Sequence, residues 1–62
     1  MQNHSKSLRL YLVEDSPIIL ALLRDLVGED SAMVVVGQSA EAEVAIREIA
    51  ELEPHVVLLD IA

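Results

Sequence analysis

Leu8-Arg9-Leu10-Tyr11-Leu12-Val13-Glu14-Asp15-Ser16-Pro17 is an apolar run that breaks off into two acids and then into a helix start. The run is short and mostly apolar, which suits a strand. Ser16 is a good helix N-cap. Pro17 fits the first helical position, where a missing N–H costs nothing. Downstream, Ile19, Leu22, Leu23, Leu26 and Val27 recur at helical spacing, with Arg24 and Asp25 on the other side. Gly28 supplies a stop signal. This stretch therefore reads as strand, tight loop and amphipathic helix.

The pattern then repeats. Met33 to Val36 is apolar and β-branched, and Gly37 closes it. Ser39 is placed to cap a second helix from about Glu41 to Leu52. That helix is expected to bury Ala42, Ala45, Ile46 and Ile49 and to turn Glu43, Arg47, Glu48 and Glu51 to water. Pro54 blocks its continuation. Val56 to Leu59 forms a third run, ending in Asp60-Ile61-Ala62. The order βαβαβ with short connections predicts an α/β fold with a parallel sheet and right-handed crossovers. A run apolar on both faces, such as Val56-Val57-Leu58-Leu59, belongs to a strand covered on both sides. Three strands and two helices cannot supply that cover. The pattern thus predicts a fold larger than these residues, or a second copy that completes it.

Composition narrows the field. With 62 residues, the chain makes one domain at most, with a marginal core. Tyr11 is its one aromatic residue, and it has no cysteine, so disulfides and thiolate metal sites are excluded. Eleven acidic residues against four basic ones give a net charge of −7. That balance argues against direct nucleic-acid contact and against anionic membrane surfaces. No apolar run is long enough to span a bilayer. Residues 1–7 are polar and read as a flexible leader, with a cytoplasmic protein as the default expectation.

Ligands of open α/β sheets bind outside the carboxyl ends of the strands, where strand order reverses. Glu14 and Asp15 end the first strand and Asp60 ends the third. If those strands are neighbours, three carboxylates meet. Two unit charges ~4 Å apart repel by about 4 kcal/mol at an effective dielectric near 20, so the cluster calls for a divalent cation or a retained proton. Oxygen donors without thiolate or imidazole select a hard ion such as Mg²⁺.

Leu12-Val13-Glu14-Asp15-Ser16-Pro17, Val35-Val36-Gly37 and Pro54-His55-Val56-Val57-Leu58-Leu59-Asp60-Ile61 together resemble the receiver domains of two-component response regulators. The resemblance covers Leu8 to Ala62, the N-terminal half of such a domain. It implies a flavodoxin-like, doubly wound sheet truncated to βαβαβ with strand order 2-1-3. It also implies that Asp60 is the phosphoacceptor for a sensor histidine kinase. Mg²⁺ is then held by Glu14, Asp15, Asp60 and the backbone carbonyl of Ala62, with Asp15 and Asp60 as the more direct ligands. The chain on this reading accepts a phosphoryl group and is not an enzyme. His55 stands where many members have Asp, a change expected to be neutral. The family's hydroxyl residue after strand four and Lys after strand five have no counterpart here, which predicts weak metal affinity and poor phosphorylation.

Blander readings compete. Glu14 and Asp15 before a helix start suit the helix dipole without any metal. Ser16 is a cap rather than a nucleophile, the Leu/Ile stripe of the first helix is core, and His4 and His55 are exposed. A dinucleotide site is excluded, because Glu14-Asp15-Ser16-Pro17 stands where Gly-x-Gly-x-x-Gly is needed. The main rival is a non-catalytic interaction module that self-associates through an exposed third-strand edge.

Overall fold

The computed structural model describes residues 7–60. Its elements are β1 (Leu8–Glu14), α1 (Pro17–Gly28), β2 (Met33–Ser39), α2 (Ala42–Leu52) and β3 (Val56–Asp60). The strands form one sheet in the order β2-β1-β3, with both pairings parallel. This is the expected α/β arrangement, an open flavodoxin-like βαβαβ unit with order 2-1-3. Most of the expected leader, residues 1–6, lies outside the described residues, as does Ala62.

β1 is central and carries the core. Leu10, Tyr11, Leu12 and Val13 are all buried, although the run is only lightly β-branched. Alternation along the strand sends Tyr11 and Val13 to the face where they meet Ala45, Ile49 and Leu52 of α2. Leu10 and Leu12 fall on the opposite face. Tyr11 is fully buried, and its hydroxyl donates to Glu48 Oε1 at 2.6 Å. Glu48 is thus drawn half inward rather than facing water, because a buried phenol requires an acceptor. Desolvation, the bond to Glu48 and that residue's negative charge push the Tyr11 pKa up from 10.0 to about 12. The neutral phenol is favoured in the fold, so its contribution to stability persists below the unfolded pKa and is lost as pH rises toward 12. With Tyr11 the sole aromatic residue, ultraviolet absorbance reads this group alone. Phenolate should appear about two units above free tyrosine in the folded protein, and near 10 once the chain is unfolded by urea.

Opposite Tyr11 lies Gly37, which does not close β2 but sits within it. A Cβ there would stand 2.8 Å from Tyr11 Cε2 and 2.9 Å from Leu52 Cδ1. The glycine is needed for ring space, not for an unusual backbone. The β1–β2 register slips beside it, pairing Leu10 with Val35 and Tyr11 with Gly37, so that Val36 is the extra residue of a bulge. Gly37→Ala should destabilise by about 1–3 kcal/mol through overpacking, read as a fall in the urea midpoint. A neutral result would mean that the ring has room to move.

The helices begin and end partly as expected. Ser16 caps α1, its hydroxyl accepting from Ile19 N–H at 3.3 Å. Gly28 is the last residue of α1 rather than a left-handed stop, and the cap, Glu29, stays right-handed at φ −77°. Ser39 does not cap α2. Its hydroxyl folds onto the backbone of Glu41, leaving Glu41 as a cap without a side-chain bond. At the far end Glu53 takes the left-handed conformation at φ 50°, where glycine is usual. The Arg9 guanidinium holds this turn by donating to the carbonyls of Leu52 and Glu53.

The apolar stripes are wider than the surface available to cover them. On α1, Val27 is buried and Leu20 and Leu23 are half-buried, whereas Ile18, Leu22 and Leu26 are exposed. On α2, Ala45 is buried and Ile49 packs beside it, but Ala42 and Ile46 face outward. Each helix meets a sheet of three strands on one side only, so a single strip of each is covered. The expectation that the whole stripe of α1 is core is therefore corrected.

Candidate functional site

β1 ends at Glu14 and β3 ends at Asp60, and the parallel register sets these two residues directly opposite each other. Adjacent strands lie about 4.8 Å apart, so the carboxylates are neighbours at the carboxyl tips. Asp15 follows in the loop that Ser16 and Pro17 turn into α1. The three acids that the sequence singles out are therefore brought to one end of the sheet.

Their environments differ. Asp15 and Asp60 are exposed, whereas Glu14 is 4% exposed and is the buried charged side chain of the described residues. Glu14 Oε2 accepts from Ser16 N–H at 2.9 Å. Its other oxygen, Oε1, is buried without a hydrogen-bond partner. The Ser16 N–H pulls the Glu14 pKa down. Desolvation together with Asp60 and Asp15 outweighs that pull, and the carboxyl sits above its ordinary value. Strand pairing and the Ser16 cap thus hold a carboxylate in place at an electrostatic disadvantage. A buried acceptor left unsatisfied is a rare feature that calls for a cause.

The expectation gave Asp15 and Asp60 the more direct metal contacts. In the fold, Glu14 is the acid that both of them act upon. Among the described residues, no three Asp, Glu or His side chains converge closely enough to hold a metal. The donor set still fits a hard cation in its chemistry: oxygen only, densely anionic, with one buried oxygen unpaired. The fourth expected donor, the Ala62 carbonyl, lies outside the described residues.

At the opposite, amino end of the sheet, the sequence reading missed a second polar constellation. Arg9 N–H donates to His55 Nδ1 at 2.9 Å, and His55 N–H donates to Arg9 O at 2.8 Å. His55 is exposed, as expected, yet it is engaged. An arginine inside an otherwise apolar strand was the available signal. The sheet is consequently polarised, with Glu14, Asp15 and Asp60 at its carboxyl tips and Arg9 and His55 at its amino end.

An open parallel βαβαβ sheet with acids at the carboxyl tips of its first and third strands defines a class of α/β module whose site is built from strand ends. Relatives sharpen the assignment. The chain is 37% identical over 54 residues to YvfU, a transcriptional regulatory protein of Bacillus subtilis, covering 87% of this chain and 27% of that protein. It is 35% identical over 57 residues to a protein-glutamate methylesterase/protein-glutamine glutaminase of Vibrio vulnificus, covering 92% of this chain and 16% of that protein. A protein of the same name from a Nocardioides species is 35% identical over 54 residues, covering 87% and 15%. The chain thus spans about a quarter or less of the length of these relatives. No protein-family model and no solved structure matches it. Proteins with such different names share this one stretch, which marks it as a module separate from any one activity. These matches fit a fragment of a response-regulator receiver domain. Among the described residues, no helix is long and apolar enough to cross a membrane.

Proposed function

We propose that the chain is the phosphoacceptor half of a receiver, in which Asp60 takes a phosphoryl group from a phosphohistidine of a sensor histidine kinase. The observation that carries this reading is the pairing of Asp60 with Glu14 across β1 and β3, next to a buried carboxylate oxygen that has no partner. Asp60 is exposed at the strand tip, so its carboxylate is open to in-line attack on phosphorus. One Asp60 oxygen forms the new P–O bond while the P–N bond to the kinase imidazole breaks, and the imidazole leaves with the electron pair. Glu14 is held by the Ser16 N–H and stays fixed while the exposed acids adjust. Asp15 and Glu14, with Asp60 and the Ala62 carbonyl, would hold Mg²⁺, which when bound offsets the charge of the acids and of the incoming phosphoryl oxygens.

Ile18, Leu22 and Leu26 form an exposed ridge at i, i+4 and i+8 on α1, beginning beside the acidic tips. Such a ridge suits a helical partner that brings its phosphohistidine to Asp60. On this reading, the protein acts in the cytoplasm as an acceptor and not as an enzyme with a separate substrate. Phosphorylation of these residues alone is slow, because among the described residues no Lys stands ready to neutralise the phosphate.

The test is incubation with a small acyl phosphate, with and without Mg²⁺, followed by intact-mass measurement. Mg²⁺-dependent labelling is expected, faster when the chain is joined to the second half of a receiver domain than when it is alone. Labelling that ignores Mg²⁺, or none in the joined protein, would count against the proposal.

A further inference from the structure

Arg9 and His55 meet at the amino end of the sheet, where the β1–β3 ladder runs out. Along β1, Leu8 N–H donates to Ala32 O on the β2 side, whereas Arg9 turns both its N–H and its C=O toward β3. The Arg9 carbonyl accepts from His55 N–H at 2.8 Å. The two-residue repeat of a parallel ladder would give the Arg9 N–H to the carbonyl of Glu53. That carbonyl is turned elsewhere, because Glu53 is left-handed at φ 50° and accepts from the Arg9 guanidinium. A donor of the central strand is thus left without a backbone acceptor. His55 Nδ1 stands in for the carbonyl, accepting from Arg9 N–H at 2.9 Å.

An imidazole accepts at Nδ1 only while that nitrogen carries no proton. The bond therefore selects the neutral ring with its proton on Nε2. His55 is exposed, so solvent can protonate it. The charged groups on the elements around the ring are Arg9 of β1, Glu51 at the end of α2 and Glu53 in the turn. The Arg9 guanidinium is occupied by the carbonyls of Leu52 and Glu53, and its charge opposes a second cation beside it. Glu51 and Glu53 are exposed, and neither carboxylate bonds the ring.

We propose that His55 is a pH-gated clasp, whose neutral ring carries the last rung between β1 and the turn from α2 into β3 and whose protonation at Nδ1 releases that rung. Protonation turns the acceptor into a donor, which cannot face Arg9 N–H. The ring then swings to solvent, and Arg9 N–H turns to water. Stability tied to the rung is present while the ring is neutral and is lost as pH falls through its titration. Histidines change charge between about pH 5 and 8. The clasp joins β1 to the start of β3 directly, so it does not depend on what lies beyond β3.

NMR of the full chain tests this. At about pH 8, long-range proton–nitrogen spectra should show the His55 proton on Nε2 and Nδ1 as an acceptor. On titration to about pH 5, the Arg9 amide proton should move upfield with the midpoint of the His55 ring. His55→Asn sets an amide oxygen about where Nδ1 stands and does not titrate. Over the same range, the folding equilibrium of the wild type, read from urea curves, should fall about fivefold further than that of His55→Asn, the worth of one net hydrogen bond. His4 and the carboxylates are common to both proteins, so their titrations cancel in that comparison. A ring with its proton on Nδ1 overturns the proposal, as does an Arg9 amide that ignores the ring. Equal pH dependence in the two proteins overturns it too. Should His55→Asn fail to fold, the two wild-type signals decide alone.

Discussion

Asp60→Asn should reduce acyl-phosphate-dependent labelling to background in the chain joined to the second half of a receiver domain, a loss limited only by assay sensitivity. The carboxylate oxygen is the nucleophile, and an amide oxygen is too weakly basic to replace it. The same change should leave folding nearly untouched, because Asp60 is exposed and ends its strand. It should even raise metal-free stability slightly, since one of the charges acting on Glu14 is removed. Intact mass after incubation, with a melting curve on the same sample, separates lost chemistry from lost fold. Labelling that survives in Asp60→Asn would move the acceptor elsewhere, with Asp15 the next carboxylate to examine. Labelling lost together with folding would show that Asp60 is structural.

The α1 cap was legible in local chemistry, because Ser16-Pro17 sets where α1 begins. The 2-1-3 order, and with it the meeting of Glu14 with Asp60, was implied by the resemblance to receiver domains, since right-handed crossovers alone also allow β2 to lie between β1 and β3. What the sequence concealed lies in relations between elements. Gly37 reads as a strand end until the Tyr11 ring is seen to fill the space above it. Glu48 reads as solvated until the buried Tyr11 hydroxyl requires an acceptor. Leu22, Leu26 and Ile46 read as core because periodicity reports a stripe's width, whereas burial depends on how much partner surface exists to cover it. At the acidic site the three residues were visible, but not which of them is buried. That depends on the chain turning at Ser16 so that its N–H faces back to Glu14.

Glu14→Gln should reverse the relation between stability and metal. In the wild-type protein without metal, the Glu14 carboxyl has a raised pKa, so the folded state binds its proton more tightly than the unfolded chain does. The stability tied to that proton is complete below the unfolded pKa and is lost as pH rises through the folded one. Once that proton is lost, the group is an ionised, half-satisfied carboxylate facing two more acids. Glutamine keeps the shape and an oxygen for the Ser16 N–H, removes the charge, and offers an amide donor to Asp60 or Asp15. The variant should therefore melt higher than wild type in metal-free buffer above the Glu14 titration, and lose the decline in stability that accompanies that titration. Mg²⁺ should have the opposite effect on the two proteins. Wild type should gain about 1.4 kcal/mol at ten times the dissociation constant, roughly 6 to 11 °C in melting temperature for a domain this small. Glu14→Gln should gain little, because a neutral amide no longer attracts the ion. Matching ionic strength with KCl removes general screening from the comparison. Equal Mg²⁺ responses in the two proteins would take the cation away from Glu14. A variant less stable than wild type without metal would show that Ser16 and the strand tip already satisfy the carboxylate, leaving its unpaired oxygen without functional meaning.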